Sequence, residues 1–257
     1  MIFLKKVMIH SPMPKKVIII GASSGIGLAL AKLYVAEGSR VVVTGRRCDR
    51  LEAFRQQYPD NVFTACFDVM GHRNIQYMVS MTEELGGLDL LIYSAGFGEV
   101  SEQLDWTIDR VTTMTNTNGF VEIVNYGYNY FVKQGKGQLA AISSVAALRG
   151  NSKAPAYSAS KAFMSRYMEG LAIKAGRIKR ASHGECNITV TDIRPGFVKT
   201  KAAAIGNLFW EAPVEKAALQ IYQAIAKRKR IVYITRRWTA IGWLLKWMPY
   251  FLYKRFG

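Results

Sequence analysis

Apolar and polar positions follow two different periods along this chain. Short, continuous apolar runs rich in β-branched residues recur between longer segments whose apolar residues fall three and four apart. Val17–Ile20, Val41–Thr44, Val62–Cys66, Leu88–Tyr93, Gln138–Ser143, Asn187–Ile193 and Ile231–Ile234 read as strands. Gly25–Glu37, Arg47–Tyr58, Asn74–Leu85, Asp105–Lys133, Tyr157–Lys179 and Pro213–Lys227 read as helices. Strands without polar alternation are buried on both faces, and helices between them supply the cover. The pattern therefore predicts a Rossmann-like α/β fold, a doubly wound parallel sheet with helices on both sides. In such sheets ligands bind beyond the carboxyl ends of the strands, near the switch in strand order.

Composition adds boundaries. The chain has 257 residues, 50% of them hydrophobic, enough for one large core. No linker, repeat or low-complexity tract divides it. Residues 1–13 read as a disordered extension, too briefly apolar for a signal peptide or a membrane span. Residues 14–235 read as the dinucleotide-binding catalytic domain. Residues 236–257 form an apolar, basic tail. Cys48, Cys66 and Cys186 are scattered and odd in number, so neither a disulfide framework nor a zinc site is expected, and a reducing cytoplasm fits best. His10, His72 and His183 have no metal-binding or catalytic spacing, and no metal is expected.

Candidate chemistry lies at the predicted strand ends. Gly21-Ala22-Ser23-Ser24-Gly25-Ile26-Gly27 follows the first strand and opens the first helix. Glycines let the backbone approach a pyrophosphate, and the helix start supplies N–H groups and partial positive charge. Tyr157 and Lys161 are four apart, on one helix face, and Ser144 precedes the tyrosine by thirteen residues. An ammonium beside a phenol stabilises phenolate and is expected to lower the tyrosine from its ordinary pKa of about 10. Ser144 can hold a substrate oxygen by hydrogen bond, and Lys161 can also hold a nicotinamide ribose. The set points to hydride transfer coupled to proton transfer.

These motifs resemble the classical short-chain dehydrogenase/reductase family over roughly residues 14–235. The glycine turn matches that family's Thr-Gly-x-x-x-Gly-x-Gly, with Ile20 in place of threonine. Asp68-Val69 resembles its adenine contact. Ser94-Ala95-Gly96 resembles its Asn-Ala-Gly, with serine for asparagine. Asn116-Thr117-Asn118-Gly119 matches its helix asparagine, so the resemblance gives Asn116 a water in a proton relay. Ser144, rather than Ser143, matches the catalytic serine by its spacing. Pro195-Gly196-Phe197-Val198-Lys199-Thr200 matches the run after the sixth strand, which brings Pro195, Gly196, Val198 and Thr200 to the cofactor. The resemblance implies an NAD(P)-dependent enzyme, a homo-oligomer, with Asn116, Ser144, Tyr157 and Lys161 as its catalytic set.

Cofactor choice is read after the second strand. No acidic residue stands there to take ribose hydroxyls, whereas Arg46 and Arg47 can pair with a 2′-phosphate, so NADP(H) is favoured over NAD(H). The segment Lys201–Pro213 is apolar and matches the family's substrate lid. A small hydrophobic ketone or alcohol is expected, with 3-ketosphinganine or a steroid as examples. A non-catalytic nucleotide-binding regulator is the alternative. The net charge of +17 admits a nucleic-acid partner, but no nucleic-acid motif accompanies it and none is expected. From Lys227 to Gly257 there are nine Lys/Arg and no Asp or Glu, interleaved with tryptophan, tyrosine and phenylalanine. That tail reads either as a peripheral contact with the inner face of a membrane or as packing against a partner subunit or the substrate cleft.

Overall fold

The computed structural model describes residues 13–100, 102–199 and 210–255. Its strands are β1 Lys16–Ile20, β2 Arg40–Gly45, β3 Val62–Cys66, β4 Leu90–Tyr93, β5 Lys136–Ile142, β6 Asn187–Pro195 and β7 Ile231–Ile234. They form one sheet in the order β3-β2-β1-β4-β5-β6-β7, and every neighbouring pair is parallel. The order reverses between β1 and β4, which opens a crevice at their carboxyl ends. Val17, Ile18, Ile19 and Ile20 all lie fully buried, as a strand covered on both faces requires.

The helices are α1 Gly25–Ala36, α2 Cys48–Gln57, α3 Asn74–Leu85, α4 Trp106–Thr113, α5 Gly119–Gln134, α6 Pro155–Ala181, α7 Val214–Ala226, α8 Trp238–Trp247 and α9 Tyr250–Tyr253. Two cores result. Met78, Phe120, Val124, Phe131, Met164 and Met168 pack on one face of the sheet with α3, α5 and α6. Leu30, Tyr34, Leu51, Ala217, Ile221 and Ile225 pack on the other with α1, α2 and α7. The helix expected over Asp105–Lys133 is interrupted by one π-helical segment, Met114–Asn118, which joins α4 to α5. Residues 1–12 of the expected extension and most of the expected lid segment, 201–209, lie outside the described residues.

The expectation of no disulfide is corrected. Cys48 and Cys66 are joined, 18 residues apart in sequence. The cause is register: Cys66 lies opposite Gly45 in the β2–β3 pairing, and Cys48 follows Gly45 by one short turn. Both cysteines are exposed, whereas Cys186 is buried and free. An exposed cross-link of this kind is open to thiol exchange. Under native conditions, thiol titration is expected to find no reactive cysteine before reduction and two, Cys48 and Cys66, after it, with Cys186 reacting only on unfolding. Two reactive thiols before reduction would show the pair open in solution.

Candidate active site

The β1–α1 turn is built for close backbone approach. Gly21 has φ +84, and a Cβ there would stand 2.5 Å from the Ala95 nitrogen. A Cβ on Gly27 would stand 2.2 Å from the Gly21 carbonyl oxygen. Ser24 precedes α1 without capping it through its side chain, and no acidic residue stands in the first turn. The leading N–H groups of this 12-residue helix thus keep their partial positive charge for an anion. Ser23, Ser24, Gly25 and Ile26 surround that helix start, so the residues present fit a dinucleotide pyrophosphate.

Arg46 and Arg47 leave the end of β2 beside this turn. Arg47 donates to the Ser23 hydroxyl at 2.8 and 3.1 Å and to the Ser24 hydroxyl at 2.7 Å. Partial burial, then Arg50 and Arg46, push its guanidinium down, because three cations crowd one corner. Arg46 lies 3.6 Å from Asp68, and that pair is largely exposed. Asp68 also accepts from the Met70 N–H at 3.0 Å, while the Val69 carbonyl accepts from Asn74 at 2.9 Å. Arg46, Arg47, Asp68 and Val69 therefore form one rim of the crevice, at the ends of β2 and β3.

The second group gathers at the ends of β4 and β5. Ser94 donates its N–H to the Ile20 carbonyl at 2.8 Å, which ties the two positions that depart from the family pattern. Ala95 and Gly96 follow. A Cβ on Gly96 would stand 3.2 Å from the Lys161 ammonium, so the bare backbone leaves that charge its room. Asn116 is fully buried in the π-helical turn. Its amide donates to the Phe97 carbonyl at 2.7 Å and to the Ser160 hydroxyl at 2.9 Å, and its oxygen accepts from the Phe97 N–H at 3.0 Å. The widened turn aims Asn116 at the loop after β4, a use π-turns often serve at functional sites.

Tyr157 sits in the first turn of α6, with Lys161 one turn on. The Lys161 ammonium lies 5.8 Å from the centre of the Tyr157 ring. It donates to the Ile142 carbonyl at 3.0 Å and contacts the Met164 sulfur at 3.5 Å. Burial lowers it to about 8, and Asp192 opposes that shift. The expectation that Lys161 depresses Tyr157 is corrected: burial pushes the phenol above its ordinary value, and its hydrogen bond with Ser144 pulls it partway back. The spacing of four foretold a shared helix face but not the loss of water around the ring.

Ser143 and Ser144 divide their work. Ser143 donates to Asp192 at 2.5 Å and to the Ile193 carbonyl at 3.0 Å, which fixes it in the sheet. Ser144 faces Tyr157. Asp192 was missed by the sequence reading, though a carboxylate inside an apolar strand was the available signal. It also accepts from Ser165 at 2.7 Å and from Arg194 at 2.7 Å, so a buried ion pair underlies the site. Ser160, between Tyr157 and Lys161, was missed too. Pro195, Gly196 and Val198 lie at the β6 end, where the side of Gly196 open to a side chain is filled by the Trp238 ring at 2.0 Å. Thr200 lies outside the described residues.

The family model described as short chain dehydrogenase matches residues 15–207. The chain belongs to that family. An uncharacterised oxidoreductase from Myxococcus xanthus is 34% identical over 196 residues, covering 74% of each chain. One from Mycobacterium tuberculosis is 31% identical over 201 residues, covering 74% of this chain and 76% of the other. Among solved structures, a short-chain dehydrogenase from Streptomyces avermitilis superposes with TM-score 0.77 at 23% identity, covering 91% of both chains. One from Burkholderia cenocepacia, in complex with NADP, gives 0.78 at 19% identity over 94% of this chain and 97% of that one. One from Sphingobium yanoikuyae, in complex with NADPH, gives 0.76 at 22% identity over 88% and 91%. The protein is an NAD(P)-dependent oxidoreductase of the short-chain dehydrogenase family.

Lys161 yields a signed prediction. A lysine depressed in the folded state binds fewer protons there than in the unfolded chain. Its cost is therefore full below about pH 8 and is relieved as pH rises toward 10.5. Lys161→Met keeps the length and removes the charge. The gap between 10.5 and about 8, at 1.36 kcal/mol per pKa unit, bounds its gain in stability at about 3 kcal/mol near neutral pH, less the lost bond to Ile142. Urea unfolding is expected to show that gain shrinking as pH approaches 10.5. A gain that does not shrink with pH would contradict the assignment.

Proposed function

We propose that this protein is an NADPH-dependent carbonyl reductase acting on a small hydrophobic ketone, with Asn116, Ser144, Tyr157 and Lys161 as its catalytic set. The observation that carries the reading is the Ser144–Tyr157 hydrogen bond beside the buried Lys161 ammonium, with β4 alone between the β5 end that carries it and the open helix start after β1. When bound, the nicotinamide cofactor supplies the hydride. Ser23, Ser24, Gly25, Ile26 and Gly27 would hold its pyrophosphate, Asp68, Val69, Ser94, Ala95 and Gly96 its adenosine side and the crevice floor, and Pro195, Gly196, Val198 and Thr200 its nicotinamide side.

The chain's own residues carry the proton. Ser144 donates a hydrogen bond to the substrate oxygen and orients it. Tyr157 gives its hydroxyl proton to that oxygen as negative charge develops. A raised phenol is a poor acid on its own, so the nearby ammonium stabilises the phenolate formed in the transition state. Asn116 holds the Phe97 loop and Ser160 in register with this array, and anchors the relay that refills the tyrosine. Arg46 and Arg47, with no acidic residue in Thr44-Gly45-Arg46-Arg47 itself, favour NADPH. The NADP and NADPH complexes among the structural relatives support that preference. The apolar composition of Lys201–Pro213 supports an apolar keto lipid or a steroid as substrate, and a cytoplasmic homo-oligomer fits the reductive role. The alternative is a nucleotide-binding regulator without turnover.

Tyr157→Phe is expected to lower kcat by roughly a hundred- to ten-thousandfold while NADPH still binds, because the ring stays and only the proton donor is lost. Single-turnover absorbance and calorimetric titration read the two effects separately. Near-normal turnover would remove Tyr157 from the proton transfer. Arg46→Ala and Arg47→Ala are each expected to weaken NADPH binding by roughly ten- to a hundredfold and leave NADH little changed. Equal dissociation constants for the two cofactors in the unmodified protein would refute the preference.

A further inference from the structure

The nine basic residues of the carboxyl-terminal stretch do not act as one patch. Lys227, Arg228, Lys229 and Arg230 precede β7 and stand at the amino-terminal edge of the sheet. Arg236, Arg237, Lys246, Lys254 and Arg255 follow β7, on the same edge as the active site, and no Asp or Glu occurs among residues 235–255.

After β7 the chain forms α8 and α9, separated at Pro249. One face packs on the body. Trp238 is buried over Gly196 and meets the Phe197 ring edge-on at 5.4 Å. Gly242 lies against Tyr233, where a Cβ would come within 2.6 Å. Arg149 donates to the Leu245 carbonyl at 2.8 Å and to the Met248 carbonyl. Tyr253 donates to the Gly150 carbonyl at 2.5 Å. Arg149 and Gly150 belong to the segment that leads from Ser144 to Tyr157, so the tail is latched beside the substrate side of the site. A cleft of about 330 Å³ lies there, lined by Leu148, Arg149, Pro155 and Ala159.

The other face is apolar and open. Trp243 and Trp247 are each 67% exposed, Tyr250 74%, Phe251 61% and Leu244 54%. A row of this kind on a folded surface marks a contact site. Among the described residues no helix is long and apolar enough to cross a membrane, and α8 has only 10 residues. Trp and Tyr with Lys and Arg around them are the composition that settles at headgroup level, aromatic rings inward and cations on anionic phosphate. A second copy meeting this face would set the five cations against five more, with no acidic residue in the segment to offset them.

We propose that the outer face of α8–α9 docks on an anionic lipid bilayer and turns the mouth of the active site toward it. Docking does not depend on which ketone is reduced, so its test reads binding rather than activity.

The test uses the full chain with vesicles containing phosphatidylserine and with vesicles of phosphatidylcholine alone, in flotation at low and high salt. The protein is expected to float with the anionic vesicles at low salt and to release as salt rises. A triple variant, Trp243→Ala, Trp247→Ala and Phe251→Ala, is expected to lose anionic-vesicle affinity by about tenfold or more. Its mass in light scattering and its circular dichroism are expected to match the unmodified chain, since none of the three packs on the body. Absence of flotation with either vesicle would overturn the proposal. So would a variant that floats unchanged, or one whose mass falls by half, which would make the face a contact between copies.

Discussion

Lys161 carries an ammonium into a place almost closed to water, and the site is arranged around that charge. The Ile142 carbonyl and the Met164 sulfur touch it. Gly96 leaves it space. Asp192 supplies an opposing charge, held by Ser143, Ser165 and Arg194. A buried ammonium without such partners would be neutral or would drive the helix outward. The β5–β6 pairing sets Ile142 opposite Ile193, lets the Ser143 N–H donate to the Ile193 carbonyl, and brings Asp192 beneath α6. The geometry proposed for catalysis and the sheet register are thus one constraint, and α6 is placed by the sheet face it must cover, with its start at the carboxyl edge.

The same edge explains why the other half of the site is so sparing of side chains. Close passage of the β1–α1 turn by Ala95 requires glycine at position 21, where the backbone also takes a left-handed angle. The helix start that results is uncapped, and the arginines after β2 crowd beside it without an acidic neighbour in the turn. A phosphate-rich ligand relieves both features at once, the open N–H groups and the clustered cations. The residues proposed to handle the proton, at the β4 and β5 ends, and those proposed to bind the anion, at the β1 and β2 ends, then lie on either side of the reversal in strand order.

Much of this was legible in the sequence. Continuous apolar runs such as Val17–Ile20 can be satisfied only by a sheet buried on both sides, and the strand ends then fix where the motifs meet. Several strands and helices fall within a residue or two of expectation, because glycine and polar clusters punctuate them. What was not legible depends on three-dimensional register or on water. The π-helical turn under Asn116 leaves the apolar period of the surrounding helix intact, so the segment read as one α-helix. Cys48 and Cys66 became neighbours through the β2–β3 pairing, which no cysteine spacing encodes. The rise in Tyr157 comes from burial, which a spacing of four does not report. The tail read as membrane, partner or cleft contact, and the structure divides it into a packed face and an open one, through small residues, Gly196 and Gly242, whose role only the packing discloses.

The central claim is that this array turns over a carbonyl at the expense of NADPH. The most direct measurement follows NADPH absorbance with a panel of apolar ketones, and with the corresponding alcohols and NADP in reverse, while the product is identified by mass. The account predicts consumption of NADPH matched mole for mole by alcohol, with NADH a poorer donor. Tight NADPH binding with no consumption in either direction, across the panel, would contradict it and leave the fold as a nucleotide-binding regulator.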